Sequence, residues 1–186
     1  LKKVGAAEAD YRAALARNKK LAEAHNNLGA LLSERGNAKA ALPHLREAVH
    51  RKPNYAEAWY NLGLALAAQR RWGDAAKAYR RAARLRPRDV DVHINLGATL
   101  QRLNDLSGAL SHLGQAVKLR PKDALARAGY GRLLAAKGRV ADARRELSHA
   151  IRLDPSYLGA VTALARLEVK AKRHKEALAA LRKALA

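Results

Sequence analysis

Residues 56–89 read AEAWYNLGLALAAQRRWGDAAKAYRRAARLRPRD, and most of the chain follows the register of this 34-residue stretch. Four prolines recur at that spacing, at Pro53, Pro87, Pro121 and Pro155. A Leu-Gly or Tyr-Gly pair keeps the same step, at 28–29, 62–63, 96–97 and 130–131. Alanines recur in two further sets, at 41, 75, 109, 143 and 177 and at 48, 82, 116, 150 and 184. A fixed period of this length is typical of proteins built from stacked repeats.

Each repeat is predicted to contain two helices, which we call the front helix and the back helix in chain order. In the front helix of residues 56–89, Trp59, Leu62 and Leu66 have the three-and-four spacing of one helical face. Pro87 ends the back helix because it lacks an amide hydrogen. Caps are predicted at Asn37 and Asp105 for back helices and at Asp89 and Asp123 for front helices. The predicted repeats are 22–55, 56–89, 90–123, 124–157 and a truncated 158–186, after a partial repeat at 1–21 that supplies only a back helix, all in one continuous domain.

The repeat at 56–89 resembles the tetratricopeptide repeat. Its matching residues are Trp59, Leu62-Gly63, Leu66, Ala75, Tyr79, Ala82 and Pro87. The resemblance covers essentially the whole chain and implies an all-α fold, a right-handed α-solenoid (superhelix) of antiparallel helix pairs. It also implies that the front helices line a concave groove and that the back helices form the convex outer surface. In the last repeat Ala165 replaces the glycine and Glu168 occupies an apolar position, so we expect that repeat to close less tightly or to face solvent.

The composition argues against several kinds of chemistry. The chain has no cysteine, which excludes a disulfide framework and a thiolate metal site. Its seven histidines show no HxxxH spacing with a third ligand, and packing is the simpler account of His25 and His93. No glycine-rich phosphate loop or GxSxG motif is present. We therefore predict a protein that is not an enzyme, with no cofactor, no metal and no small-molecule substrate.

The chain contains no methionine and begins within a repeat, which indicates a fragment of a longer protein. No apolar run approaches the roughly 20 residues of a membrane-spanning helix, and no signal peptide is visible in this fragment. We therefore expect a soluble protein and favour the cytoplasm over other compartments.

The formal net charge is +21, and the repeat register shows which helices carry it. Charges on the front helices cancel, so the excess lies on the back helices, the turns and the first 21 residues. The densest group, which we call the basic back patch, comprises Arg70, Arg71, Lys77, Arg80, Arg81, Arg84, Arg86 and Arg88. This patch is interpreted either as a solvated face or as a docking surface for nucleic acid or an anionic membrane.

The predicted groove carries two ladders of polar residues on one helical face. Carboxylates stand at Glu23, Glu57 and Asp91, and amides stand at Asn27, Asn61 and Asn95. An amide can donate and accept, so it can pair with the backbone of an extended peptide. The amide ladder resembles the repeat region of O-linked N-acetylglucosamine transferases, where groove asparagines hold the peptide backbone. Interaction with the helix dipole also accounts for the carboxylates.

Three further groove residues complete the predicted site. Tyr60 supplies an apolar contact, and Arg132 and Arg166 at the basic end receive an acidic segment. The predicted function is a non-catalytic scaffold that binds a peptide or protein segment in the groove. The alternatives are electrostatic docking through the basic back patch and the substrate-binding region of a larger, glycosyltransferase-like enzyme. Self-association through the end repeats is also open.

Overall fold

A computed structural model describes the backbone of residues 2–185 and the side chains of residues 7–182. Eleven α-helices and no strand occur in this part, as the repeat pattern predicts. The helices are α1 (Lys2–Arg17), α2 (Ala22–Glu34), α3 (Ala38–Arg51), α4 (Ala56–Ala68), α5 (Trp72–Leu85), α6 (Val90–Arg102), α7 (Leu106–Leu119), α8 (Ala124–Ala136), α9 (Val140–Leu153), α10 (Leu158–Lys170) and α11 (His174–Leu185). None of the helices between residues 2 and 185 has the length and apolar character needed to cross a bilayer.

The chain divides into two compact units, Leu1–Val92 and His93–Ala186. In the first unit α2 packs against α3 and α4 packs against α5, and α2 also contacts α4. In the second unit α8 packs against α9 and α10 packs against α11, and α8 also contacts α10. Within each unit, therefore, successive front helices lie side by side.

Side-chain caps start several helices where the sequence predicts them. The carboxylate or amide oxygen of the cap accepts a hydrogen bond from a backbone amide of the first turn, which would otherwise lack a partner. Asn37 accepts from the Ala40 amide at 3.1 Å, and Asp105 accepts from the Gly108 amide at 2.9 Å. Asp123 accepts from the Ala126 amide at 2.9 Å. Asp89 accepts more weakly from the amides of residues 91 and 92, at 3.2 and 3.3 Å.

The turn between each front helix and its back helix needs a residue in the left-handed conformation. Five residues spaced by the repeat have positive φ: Gly36 (78°), Arg70 (57°), Asn104 (62°), Gly138 (76°) and Lys172 (59°). Glycine takes this conformation without a steric penalty, whereas arginine and lysine do not. The penalty at Arg70 and Lys172 was not predicted, because neither residue marks a turn by its type and only the register of Gly36 and Gly138 indicates one.

Glycines on the front helices let each back helix approach closely. An added Cβ on Gly63 would lie 2.5 Å from Cε1 of Tyr79, and one on Gly131 would lie 2.9 Å from Cγ of Leu147. The facing side chains are consequently buried, with Tyr79 at 1% and Leu147 at 0% exposure. In the last repeat Ala165 stands at this position, and the facing Leu181 is 39% exposed. Looser closure of the last repeat stays a prediction, because the exposure of Leu181 does not measure the separation of α10 and α11.

Glu168 fills the apolar position of the last repeat as one member of a buried ion pair. Its side chain does not face solvent but is buried, and both of its carboxylate oxygens accept hydrogen bonds from Arg144, at 2.5 and 3.1 Å. Arg173 approaches the same carboxylate at 3.9 Å. A buried charge is tolerated when it is paired and hydrogen-bonded. The apolar position of the repeat is thus occupied by an ion pair that joins α9 to α10.

Candidate functional site

The predicted groove residues all lie on front helices. Glu23 and Asn27 are on α2, and Glu57, Tyr60 and Asn61 are on α4, all in the first unit. Arg132 is on α8 and Arg166 is on α10, both in the second unit. The two units divide within α6, which places Asp91 in the first unit and Asn95 in the second.

In the first unit, the polar groups between α2 and α4 bond mainly to one another. At the centre of this α2/α4 face is Asn26, which is fully buried. Its Oδ1 accepts a hydrogen bond from Asn61 Nδ2 at 2.9 Å. Its own Nδ2 lies 3.2 Å from Glu57 Oε1, 3.2 Å from the Tyr55 hydroxyl and 3.3 Å from Asn27 Oδ1. The amides predicted to hold a peptide therefore also join two repeats.

The carboxylate of Glu23 is neutralised by a neighbouring cation. Lys52 Nζ lies 2.7 Å from Glu23 Oε1 and 5.0 Å from the centre of the Tyr55 ring. Hydrogen bonding from Lys52 lowers the pKa of Glu23, and the same contact raises the pKa of Lys52. Sequence reasoning missed Asn26, Lys52 and Tyr55, because none of the three belongs to the ladders of like residues that recur in successive repeats.

Tyr60 is held against the core of the first unit. Its ring centre lies 5.9 Å from that of Tyr79, and the side chain is half-buried. Burial is the main cause that raises the pKa of Tyr60, and the carboxylates of Asp91 and Asp89 raise it further. Asp91 and Asn95 also take part in interactions of their own. The first unit thus presents a face whose polar side chains already have partners.

In the second unit, α8 and α10 flank a cleft of about 270 Å³, which we call the α8/α10 cleft. Three exposed cations border it, namely Arg132, Arg166 and Lys170. Its apolar lining consists of Ala135, Leu147, Ala163 and Leu167. Among the side chains of residues 7–182, no ion pair involves any of these three cations. The cleft therefore combines an apolar floor with positive charge that the unit itself does not neutralise.

A second cavity continues from this cleft toward α11. It has a volume of about 420 Å³ and shares Arg166 and Lys170 with the α8/α10 cleft. Its other lining residues include Ala165, Val169 and Leu181. The Cβ of Ala165, at a position where the preceding repeats have glycine, borders this opening. The sequence predicted Arg132 and Arg166, but Lys170 and the apolar floor became visible only from the packing.

The basic back patch lies on α5 and its flanking turns, in the first unit. All of its members except Arg81 are exposed. Several of these cations have partners: Arg71 pairs with Asp74 at 2.5 Å, Arg81 donates to the Pro53 carbonyl at 3.1 Å, and Arg80 takes part in an interaction. The patch is thus partly neutralised within its own unit.

Two histidine pairs were missed by the sequence analysis. His25 faces His44 and His93 faces His112, each with 3.0 Å between the two Nδ1 atoms. No group of three His, Asp, Glu or Cys side chains suited to a metal ion occurs among the described residues. The signal that could have found the pairs is their common separation of 19 residues, which links a front-helix position to a back-helix position.

One front-helix position, held by His25, Trp59, His93 and Arg127, has a further shared role. In the repeats of His25, Trp59 and Arg127, the side chain at this position donates an N–H to the backbone carbonyl of the residue six positions earlier. The distances are 3.1 Å from His25 to Lys19, 3.0 Å from Trp59 to Pro53 and 2.6 Å from Arg127 to Pro121. This explains how histidine, tryptophan and arginine can occupy one position, because all three carry a suitably placed donor.

Comparison with known families decides what these helix pairs are. A family model described as "Tetratricopeptide repeat" matches residues 2–54, 31–90 and 138–186, and a second model with the same description matches residues 100–152. The chain belongs to the tetratricopeptide-repeat family. Its fold class is the all-α solenoid of that family, as the sequence predicted. Proteins with this fold serve as scaffolds for protein–protein interaction, and this chain is such a scaffold.

Solved structures of similar proteins agree with this assignment. YrrB, described as "a TPR protein with an unusual peptide-binding site", superposes with a TM-score of 0.81 at 26% identity, covering 94% of this chain and 90% of YrrB. MamA from Desulfovibrio magneticus RS-1 superposes with a TM-score of 0.81 at 25% identity, covering 88% and 93%. Pseudomonas aeruginosa pilF shares the fold, with a TM-score of 0.77 at 22% identity, covering 88% and 75%. No curated protein sequence matches the chain significantly.

Proposed function

We propose that this tetratricopeptide-repeat protein is a non-catalytic scaffold that binds an acidic segment of a partner protein along its front helices. The segment is anchored in the α8/α10 cleft by Arg132, Arg166 and Lys170. The observation that carries the proposal is the set of three cations around an apolar floor, without a carboxylate partner among the described side chains. A carboxylate of the partner supplies the missing counter-charge, and an apolar side chain of the partner fills the cleft.

The size of the cleft supports a peptide side chain as its occupant. Its volume of about 270 Å³ is below the roughly 300–1,000 Å³ typical of sites that bury a whole small molecule. The neighbouring cavity of about 420 Å³ shares two of the cations, so a second apolar side chain can lie beside the first. Guanidinium groups also suit carboxylates well, because their planar array of donors permits bidentate pairing.

The amides on the front helices are proposed to contact the backbone of a partner segment. Asn61 donates one N–H to Asn26, which leaves its Oδ1 and its second N–H for a peptide. Asn27 and Asn95 hold the equivalent positions of the neighbouring repeats. The similarity to YrrB, whose description includes a peptide-binding site, supports a peptide ligand at 26% identity.

A binding assay with a matched charge control tests this proposal. The probe is a fluorescein-labelled decapeptide of alternating Glu and Leu, and a decapeptide of alternating Gln and Leu is the uncharged control. We expect the doubly substituted variant Arg132→Glu/Arg166→Glu to lose affinity for the acidic probe by about 30-fold, measured by fluorescence anisotropy. The estimate follows from about 1 kcal/mol for each reversed surface charge.

The control variant is Arg80→Glu/Arg84→Glu, which changes the net charge equally but lies on back helix α5. We expect it to retain affinity within about threefold, because Arg80 and Arg84 do not line the α8/α10 cleft and salt screens exposed charges that do not touch the peptide. If the α5 variant loses affinity and the α8/α10 variant does not, the groove proposal is wrong and docking through the basic back patch takes its place.

A further inference from the structure

Each histidine pair joins a front helix to its own back helix. His25 on α2 and His44 on α3 have ring centres 5.3 Å apart, and His93 on α6 and His112 on α7 have ring centres 5.2 Å apart. In both pairs the Nδ1 atoms are 3.0 Å apart, which is a hydrogen-bond distance. The pairs hold equivalent positions in the first and third repeats. The same contact between a front helix and its back helix therefore recurs in two repeats.

The protonation state of the first pair follows from a third contact. His25 Nε2 lies 3.1 Å from the carbonyl oxygen of Lys19, and a carbonyl can only accept a hydrogen bond. Nε2 of His25 therefore carries the proton, and the neutral ring has its lone pair on Nδ1. It follows that Nδ1 of His44 carries a proton and donates it to His25. One proton lies between the two Nδ1 atoms.

Counting protons shows why the contact is sensitive to acid. A first added proton can bind to Nε2 of His44 and leave the hydrogen bond between the Nδ1 atoms intact. A second must bind to Nδ1 of His25, where it would face the proton already donated by His44. The folded pair thus holds at most one added proton while the contact persists, whereas the two rings bind two added protons in the unfolded chain.

We propose that the pairs His25–His44 and His93–His112 are proton-sensitive latches that hold front and back helices together at neutral pH and weaken below about pH 6.5. The unfolded chain takes up more protons in this range, so acid favours unfolding. The stabilising contribution is present above the ordinary titration range of histidine and is lost as the pH falls through it.

The surroundings of the first pair reinforce this direction. Arg12 of α1 and Lys19 face it from one side, and Glu47 and Arg51 border it on α3. The Glu47 carboxylate is already bonded to Arg51 at 2.6 Å. Burial is the main cause that lowers the pKa of His44, followed by the charges of His25 and Arg12.

The second pair is bordered by fewer charges. Lys118 on α7 and Tyr130 on α8 are the titratable groups that line its cavity, and the other polar groups there are Ser107, Ser111 and Gln115. His93 is buried, with 6% exposure. No group of three His, Cys, Asp or Glu side chains suited to a metal ion occurs at either pair among the described residues.

The fourth repeat contains a natural version of the latch that does not respond in this pH range. Arg127 and Glu146 hold the positions of the histidine pair, and Arg127 Nη1 lies 2.5 Å from Glu146 Oε2. Arg127 also donates to the Pro121 carbonyl, as His25 does to Lys19. Neither Arg nor Glu ordinarily titrates between pH 5.5 and 7.5. Copying this pair into the other repeats therefore keeps the link between the helices and removes its response to protons.

Urea unfolding at pH 7.5 and pH 5.5 tests the proposal with that replacement. The wild type is compared with His25→Arg/His44→Glu and with a variant that also carries His93→Arg/His112→Glu. The unfolded chain binds one more proton per pair than the folded protein does. Each such proton should raise the wild-type equilibrium constant for unfolding by about 10-fold as the pH falls from 7.5 to 5.5. We expect the first variant to remove about 10-fold of the pH effect and the second to remove about 100-fold. His50, His149 and His174 are present in all three proteins, so their contribution cancels. Equal pH dependence in all three proteins would overturn the proposal.

Nitrogen-15 NMR of the imidazole rings in the wild type provides a test that needs no variant. At pH 7.5 we expect His25 to be protonated on Nε2 and His44 on Nδ1. Protonation of both rings on Nε2 at pH 7.5 would contradict the latch. Full protonation of both rings in the folded protein at pH 5.5, with α2 and α3 still joined at these residues, would contradict it as well.

Discussion

The α2/α4 face and the α8/α10 cleft occupy equivalent surfaces of the repeat. They differ in whether their polar side chains are paired within the protein. On the first, Asn61 bonds to Asn26, Asn26 bonds to Glu57 and Lys52 neutralises Glu23. Around the second, Arg132, Arg166 and Lys170 surround an apolar floor with no ion pair among the described side chains. The position of a residue in the repeat therefore does not determine whether its side chain joins two repeats or contacts a partner. Polar groups that bond to one another join repeats, and charged groups left without a counter-charge are available to a partner.

The largest expected effect is on the free energy of unfolding, and it tests how closely the front and back helices pack in the second repeat and in the last repeat. Gly63→Ala places a Cβ 2.5 Å from the Tyr79 ring, so we expect it to destabilise the protein by about 2–3 kcal/mol, measured by urea unfolding. The reverse change, Ala165→Gly, removes the Cβ that faces the exposed Leu181. It should cost less than about 1 kcal/mol, the usual propensity penalty of glycine in a helix. Equal destabilisation by the two substitutions would show that the last repeat is as tightly closed as the second.

A second substitution tests whether the α2/α4 face is chiefly structural. Asn26→Ala removes the buried amide that bonds Asn61 and Glu57, and we expect it to destabilise the protein by about 2 kcal/mol. Affinity for the acidic decapeptide should change by less than about threefold under conditions where the protein is folded. Thermal unfolding and anisotropy on the same sample separate the two effects. A large loss of affinity without a loss of stability would place the ligand on this face.

The smallest expected effect is a gain in stability at the turns. Arg70 and Lys172 have φ of 57° and 59°, where a side chain is strained, and they occupy the turns after α4 and α10. Glycine at either position relieves about 1–2 kcal/mol of strain but costs about 0.5–1 kcal/mol in backbone entropy. We therefore expect Arg70→Gly and Lys172→Gly each to stabilise the protein by about 0.5–1 kcal/mol. Gly36→Ala, at an equivalent turn with φ 78°, is the matched control and should destabilise it.

The fold could be predicted from the sequence because its signals are local and repeated. Pro53, Pro87, Pro121 and Pro155 mark the ends of back helices, and Asn37, Asp105 and Asp123 mark helix starts by the chemistry of their side chains. The close approach at Gly63 could be inferred as well, since a glycine within a helix indicates a close contact. These features depend only on the residue and its position in the repeat.

The site could be predicted only in part, because partner choice depends on neighbouring repeats. Arg132 and Arg166 were found from their charge, but Lys170 joined them only through the packing of α8 on α10. Asn61 was identified as an isolated amide, whereas the structure bonds it to Asn26 of the previous repeat. Glu168 was noted only as a charge at an apolar position, whereas the structure pairs it with Arg144 of the preceding back helix. In each case the deciding contact lies 24 or more residues away in the sequence.

Photo-crosslinking of the acidic decapeptide tests the central claim most directly. A benzophenone placed at the middle of the peptide should attach to the lining of the α8/α10 cleft, at Ala163, Leu167 or their neighbours, as read by tandem mass spectrometry of the digested adduct. Excess unlabelled acidic peptide should abolish these adducts, whereas the Gln-Leu peptide should not. Adducts confined to α2 and α4, or to the basic back patch on α5, would contradict the account.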